Sequence, residues 1–287
     1  MAERRAVPQI EKPPVGERVG QVEAIWRYPV KSMLGERLPT ASIGRSGLCG
    51  DRAYALWDHD TGRVASAKNP RLWKDLLSCS ARYVEPPLSG KAPPAVAITT
   101  PADTMLSSDP EVSARLSDWL ERPVSLLDQP PEGASLDQYW PPVPQRAFQD
   151  VVNELVLPSG TFFDSCPLHA ITTATLERLR TLEPELDFAV ERFRPNLLIQ
   201  PESGDSGFLE EAWIGCTLRL GRELRLRVDD GCPRCVVTTL SQGDLPEDLE
   251  ILRATARHNK VVAGIRLSVV TPGEVQVGDP VVLESET

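Results

Sequence analysis

Proline holds 27 of the 287 positions in this chain and glycine 19. Proline removes the backbone donor that a helix interior or a central strand needs, and glycine supplies the positive φ of tight turns. Interruptions this frequent favour short strands joined by turns over long helices. The apolar runs between them fit that frame. VGQVEAIWRYPV at 19–30 reads as a strand ending at Pro29, and AYALW at 53–57 as a second. Asp58-His59-Asp60-Thr61-Gly62 reads as a turn, and the short run at 63–65 after it predicts a hairpin. AVAITT at 95–100 is a further strand. In EVSARLSDWLERP at 111–123, Val112, Leu116, Trp119 and Leu120 recur at helical spacing, which predicts a short amphipathic helix.

The stretch QPPEGASLDQYWPPVPQR at 129–146 is the densest in proline. It is expected to hold no regular structure and to mark a domain boundary. Tyr139 and Trp140 within it demand burial, so an ordered loop fits better than a floppy linker. Two domains suit the length, since ~100–200 residues per domain is usual. The expected division is a flexible leader at 1–17, a first domain at 18–128, the connection at 129–149 and a second domain at 150–287. In the second half, Thr172 or Thr173 can cap a helix that reaches Leu182, with Leu176 and Leu179 inward. Short strands are expected at 197–199, 217–220, 223–228, 261–270 and 281–283. A helix at 246–259 has acids at its start and basic residues at its end. The fold class expected is therefore β-rich α+β with a few short helices.

Composition excludes several function classes. Asp and Glu number 41 against 31 Lys and Arg, a net charge of -10. General nucleic-acid binding is disfavoured, because phosphate backbones want a positive field. A few buried cations can still grip one small anion inside an acidic protein. No segment approaches the ~18 uncharged apolar residues of a membrane span. The leader carries charges and prolines where a secretory signal has an apolar stretch, so a soluble cytoplasmic protein is expected. The six cysteines, Cys49, Cys79, Cys166, Cys216, Cys232 and Cys235, are scattered apart from one C-x-x-C, which is a poor disulfide framework. A chain of this size can bury roughly three quarters of its unfolded surface and needs no cross-link merely to fold.

Five clusters could carry chemistry. The strongest is Gly231-Cys232-Pro233-Arg234-Cys235, followed by VVTT. A thiolate is a soft metal ligand and a good nucleophile, and a neighbouring Arg favours it. Pro233 stiffens the turn and presents Cys235 in a fixed direction, at the start of what reads as an apolar strand. Zinc would need two further ligands, a thioredoxin-type dithiol would precede a helix, and two ordinary core cysteines remain a third alternative. Tyr28-Pro29-Val30-Lys31-Ser32 sets Lys and Ser after a strand-ending proline, as an anion grip or a solvated turn. Gly47-Leu48-Cys49-Gly50-Asp51-Arg52 suits a phosphate or a local ion pair. Arg192-Phe193-Arg194-Pro195-Asn196 suits a flat polar ligand or a surface turn. Phe163-Asp164-Ser165-Cys166-Pro167-Leu168-His169 precedes a helix N-terminus, where backbone N–H groups can bind anions. His169 reads as a hydrogen-bonded core residue rather than a ligand. No G-x-x-x-x-G-K-[ST] loop, G-x-G-x-x-G, H-E-x-x-H or G-x-S-x-G elbow occurs.

In order along the chain, YPVKSM at 28–33, GLCGDRAY at 47–54, NPRL at 69–72, FFDSCPLHAITTATL at 162–176, RFRPN at 192–196, GCPRCVVTTL at 231–240 and VGDPVVL at 277–283 resemble the MOSC family. The name refers to the C-terminal domain of molybdenum cofactor sulfurase. The resemblance is closest to bacterial relatives of the mitochondrial amidoxime-reducing component and covers roughly residues 20–285.

The resemblance implies two β-barrel-like domains, a MOSC N-terminal domain and the MOSC domain proper, with a molybdopterin-type molybdenum cofactor between them. It makes Cys235 the metal ligand and catalytic residue, with Asp164 beside it as a catalytic candidate. Lys31, Ser32 and Arg52 match cofactor-holding positions of the first domain, and Arg194, Asn196 and Arg234 those of the second. Cys166 falls in the segment lining the site, and Cys232 has no ligand role. The implied activity is reduction of N-hydroxylated compounds (amidoximes, hydroxylamines). Electrons would come from a separate flavin, iron–sulfur or haem protein, because no Cys follows Cys235 to build a cluster. The membrane segment of mitochondrial members is not expected here. The alternative is a carrier of the cofactor, or of sulfur on Cys235, without turnover. The family's pyridoxal-phosphate label belongs to full sulfurases, whose additional domain of several hundred residues is not expected here. Met33, Cys49 and Ala67-Lys68 occupy variable-looking positions near the motifs, so substrate choice does not transfer.

Overall fold

The computed structural model describes residues 14–143, 149–204 and 206–284. Its largest feature is a closed barrel of seven strands. Arg18–Arg27 pairs with Leu197–Pro201, which runs parallel to Leu168–Thr172. The ring continues antiparallel through Val262–Thr271, Leu224–Pro233, Thr217–Leu220 and Pro280–Glu284, and closes on Arg18–Arg27. Alternation along the strands fills it. Leu224, Leu226 and Val228 are fully buried, while Arg225 and Arg227 point away from the core. Ile25, Ala170, Ile199, Leu218, Ile265 and Leu267 meet them inside. The barrel thus takes one strand from the beginning of the chain and six from its second half.

A second core lies beside the barrel. The expected hairpin forms between Ala55–Asp58 and Arg63–Val64, with Val124–Leu127 as the third strand. Ser80–Tyr83, Val96–Thr99 and Thr104–Leu106 make another small sheet. The predicted amphipathic helix covers Val112–Leu120 and packs Val112 and Leu116 against Leu56, Trp73 and Ile98. Among the described residues no helix is long and apolar enough to cross a membrane. The leader expected at 1–17 lies largely outside the described residues, which begin at Pro14.

Three local expectations need correction. The proline-dense stretch contains a strand, Ser135–Trp140, paired antiparallel with Val151–Val156. Its prolines flank the strand at Pro130, Pro131, Pro141 and Pro142, so every donor within it remains available. The segment before the capped helix is a fully buried strand, Leu168–Thr172, whose burial on both faces leaves no alternation to read. Thr172 then caps Thr173–Leu182, accepting from Thr175 N at 3.1 Å. Third, the run after Cys235 is a 3-10 helix, Val236–Thr239, not a strand. Thr238 and Thr239 turn their hydroxyls back onto the carbonyls of Cys235 and Val236, at 3.0 and 2.7 Å. Such back-bonding offsets their β preference.

Candidate functional site

One cleft lies between the barrel and the second core. Lys31, Ser32, Arg52, Asp164, Cys166, Arg194, Asn196, Arg234 and Cys235 all line it. Sequence reasoning had gathered these nine from four separate clusters and the C-x-x-C. The cleft also takes in Ser66, Lys68, His169, Arg192 and Cys232.

The buried carboxylate of Asp51 organises one wall. It accepts from the backbone N of Tyr28 at 2.8 Å and from Asn196 Nδ2 at 3.0 Å, and pairs with Arg52. The segment after Arg18–Arg27 is zipped to this turn: Lys31 N donates to Tyr54 O at 2.8 Å and Arg52 N to Tyr28 O at 2.7 Å. Arg52 and Arg194 both lie over the Tyr28 ring, 4.6 and 4.4 Å from its centroid. Burial holds the Tyr28 phenol protonated, well above its ordinary value, and it donates to Pro195 O at 3.1 Å. Ser32, Arg52 and Arg194 all adopt left-handed φ, at 65°, 47° and 50°. Backbone strain of this kind gathers where surrounding structure holds functional groups in place.

Arg194 Nη2 donates to Met33 O at 2.7 Å, while its buried Nη1 has no partner among the described residues. Burial, with the Arg52 charge adding to it, pushes this guanidinium down to about 10. Lys31 is 6% exposed and donates to Phe162 O at 2.6 Å and to Asp164 Oδ1 at 2.5 Å. The other Asp164 oxygen meets Lys68 Nζ at 3.3 Å. Burial opposes the Asp164 charge, but the two ammoniums outweigh it and hold the carboxyl far below the usual carboxylate range. Asp164 is therefore an ionised bridge between lysines, which removes it as a proton donor at neutral pH. Lys68 reads in the sequence only as a variable-looking position, and its place after the hairpin turns it into the cleft.

Asn196 and Arg234 line the cleft but spend their polar atoms on the fold. Asn196 Oδ1 accepts from His169 N at 3.1 Å, and its Nδ2 serves Asp51 and Trp26 O. Arg234 donates to Ala263 O at 2.7 Å, to Phe193 O at 3.1 Å, and to His169 Nε2. Burial and then the Arg234 charge keep His169 neutral, well below its ordinary value, so it is the hydrogen-bonded interior residue expected. Arg192 donates to the carbonyls of Asp187, Pro246 and Thr238, tying the short helix Val190–Phe193 to the 3-10 helix after Cys235.

Three thiols border the cleft: Cys166, Cys232 and Cys235, each half-buried. Cys232 lines the same cleft as Cys235 because Leu224–Pro233 continues extended through it. Burial, then the Cys232 charge, pushes the Cys166 thiol up to about 11, which makes it a neutral thiol. Among the described residues no three His, Cys, Asp or Glu side chains converge as a metal cage.

Two family models match the chain. Residues 19–106 match the MOSC N-terminal beta barrel domain and residues 158–282 the MOSC domain. Mitochondrial amidoxime reducing component 2 of Rattus norvegicus is 26% identical, covering 92% of this chain and 83% of the relative. Mitochondrial amidoxime-reducing component 1 of Homo sapiens is 26% identical, covering 93% and 84%. A molybdenum cofactor sulfurase of Danio rerio is 24% identical over 93% of this chain but only 34% of its own length.

Proposed function

From the premise that this chain belongs to the MOSC-domain family, we propose that it is a molybdenum-cofactor-binding oxidoreductase that reduces N-hydroxylated compounds, amidoximes and hydroxylamines among them. The observation that carries this reading is the buried excess of cations in the cleft of an acidic protein, with Arg194 Nη1 left without a partner among the described residues. An unmet guanidinium donor away from water is costly unless an anion meets it. The chemistry of the donor set fits a molybdopterin-type group. Lys31, Ser32, Arg52 and Arg194 supply donors for its phosphate and pterin, and the Cys235 thiolate is a suitable soft ligand for its metal.

When bound, that group would supply the electron transfer that converts an N–OH into N–H and water at the cost of two electrons and two protons. The chain's own residues bind and orient. Tyr28 stacks the two arginines, Asp51 and Asn196 fix the wall behind them, and Arg234 with His169 anchors the turn that carries Cys235. Asp164 holds Lys31 and Lys68 apart as cations in the cleft. Electrons come from a separate flavin, iron–sulfur or haem protein. All six cysteines are free thiols, which suits a reducing, cytoplasmic setting.

The test is metal analysis of the protein purified from a host that makes molybdenum cofactor, followed by turnover of benzamidoxime with reduced methyl viologen as donor. Close to one molybdenum per chain and amidine formation are expected. Stoichiometric zinc without molybdenum would end this reading. Molybdenum without turnover would leave a cofactor carrier.

A further inference from the structure

Lys68 belongs to none of the clusters that suggested an anion site, yet it reaches the cleft. Its backbone is pinned on both sides. The carbonyl accepts from Tyr139 N at 2.8 Å, and the N–H donates to Ser66 Oγ at 3.3 Å. The side chain is 14% exposed and its ammonium meets Asp164 Oδ2 at 3.3 Å. An ammonium has three donors, and Asp164 is the one ion-pair partner of Lys68 among the described residues. That carboxylate is shared, because Lys31 takes the other oxygen at 2.5 Å. Two cations therefore divide one anion, leaving a net positive charge on the Lys68 side and N–H groups with no further partner among the described residues. Burial disfavours that charge, but Asp164 and then Cys235 hold the ammonium protonated above its ordinary value, which sets it within electrostatic reach of the thiol.

Resting on the function proposed above, we infer that Lys68 is a specificity-determining residue that binds a carboxylate carried by the N-hydroxylated substrate. Lys31, Arg52 and Arg194 come from the clusters assigned to the anionic cofactor. Lys68 comes from a different stretch and lies beside Asp164 in the cleft that Cys235 also lines. A carboxylate there fills the open donors and neutralises the excess charge. A neutral substrate leaves both unmet, and a site built to hydrogen-bond a group discriminates strongly against analogues that lack it.

The experiment compares benzamidoxime with 4-carboxybenzamidoxime on the molybdenum-loaded protein, for the parent chain, Lys68→Met and Lys68→Arg. Binding of 4-carboxybenzamidoxime to the oxidised proteins is measured in parallel by calorimetry. The parent should prefer the carboxylated substrate in kcat/KM. Lys68→Met should lower that preference about ten- to a hundredfold, mainly through KM, and weaken calorimetric binding by a similar factor. Lys68→Arg should restore much of both. An equal ratio in parent and Lys68→Met overturns the inference, as does loss of molybdenum from Lys68→Met with the ratio unchanged, which would assign Lys68 to the cofactor. If the parent turns over neither compound, the function proposed above fails. Calorimetry then decides alone: carboxylate binding lost in Lys68→Met supports the inference, and equal binding overturns it.

Discussion

Arg194→Met separates a residue kept for its ligand from one kept for the fold. Burial pushes the Arg194 guanidinium well below its ordinary value, down to about 10. At about 1.4 kcal/mol per tenfold change in acidity, roughly 3 kcal/mol is held against the charged form in the folded chain. Met removes that burden and fills the space with a flexible apolar side chain. It also removes a charge-assisted bond to Met33 O, worth about 1.5–3 kcal/mol, and the stacking on Tyr28, worth about 0.5–2 kcal/mol. Gains and losses nearly cancel. In urea titrations of cofactor-free protein, the unfolding free energy should stay within about 1 kcal/mol of the parent, against the 3–5 kcal/mol usual for breaking a buried pair. The pH dependence has a definite sign. The folded value lies below the unfolded one, so the burden is full below about pH 10 and is relieved above it. The parent should gain stability relative to the variant as pH rises past about 10. Molybdenum retention, by contrast, should fall about ten- to a hundredfold. A stability loss of about 3 kcal/mol or more, with molybdenum content unchanged, would refute the reasoning, because Arg194 would then be holding the fold together.

Other perturbations test the remaining parts of the cleft. Cys235→Ser replaces a soft sulfur with a hard oxygen and should abolish methyl-viologen-driven amidoxime reduction, whereas Cys232→Ser should retain a substantial part. Equal loss in both would point to a two-cysteine site. With its thiol pushed up to about 11, Cys166 should react with iodoacetamide at pH 8 more than about tenfold slower than an unhindered thiol, and accelerate towards pH 11, as peptide mass spectrometry would show. Rapid labelling at pH 8 would contradict its burial. Gly264 adopts φ 85°, and a Cβ there would meet Ala170 O and lie 2.5 Å from His169 Nε2. Gly264→Ala should therefore destabilise by about 2–4 kcal/mol in urea titration, and an unchanged midpoint would show that the His169–Arg234 contact is loose.

How much of this was legible in the sequence depended on whether a residue's role is local. The hairpin at 55–64, the Thr172 cap and the helix at 112–120 follow from turn residues, hydroxyl capping and spacing within a few positions. The nine expected site residues, which line one cleft, are picked out by the family resemblance of their motifs, since the local reading of each cluster leaves a structural role open. The misreadings have other causes. Leu168–Thr172 is buried on both faces and gives no alternation to read. The run after Cys235 is β-branched, and only the hydroxyl bonds of Thr238 and Thr239 reveal why it winds into a 3-10 helix. Whether Asp51 would face a ligand or a neighbour had to stay open, since its partners Tyr28 and Asn196 are 23 and 145 positions away.

Charge was the least legible property, and it decides what the cleft can hold. Summed over the chain the charge is negative, at -10. Along the cleft the order is reversed: Lys31, Arg52, Lys68, Arg192, Arg194 and Arg234 face it, with Asp164 the one carboxylate in its lining. Arg192 and Arg234 are satisfied by backbone carbonyls and act as struts. Arg52 has Asp51, and the two lysines share Asp164. Arg194 alone of the six has neither a carboxylate nor a full set of carbonyl acceptors among the described residues. A chain selected for stability alone would replace such a group with an apolar one at little loss. The left-handed φ of Arg194 ends the short helix Val190–Phe193, with its N–H on Glu191 O, and so fixes where this guanidinium leaves the chain. The cost of that guanidinium is recovered when an anion with several acceptors enters. Holding the cations in place beforehand spares a ligand the work of ordering them, and so converts folding strain into affinity.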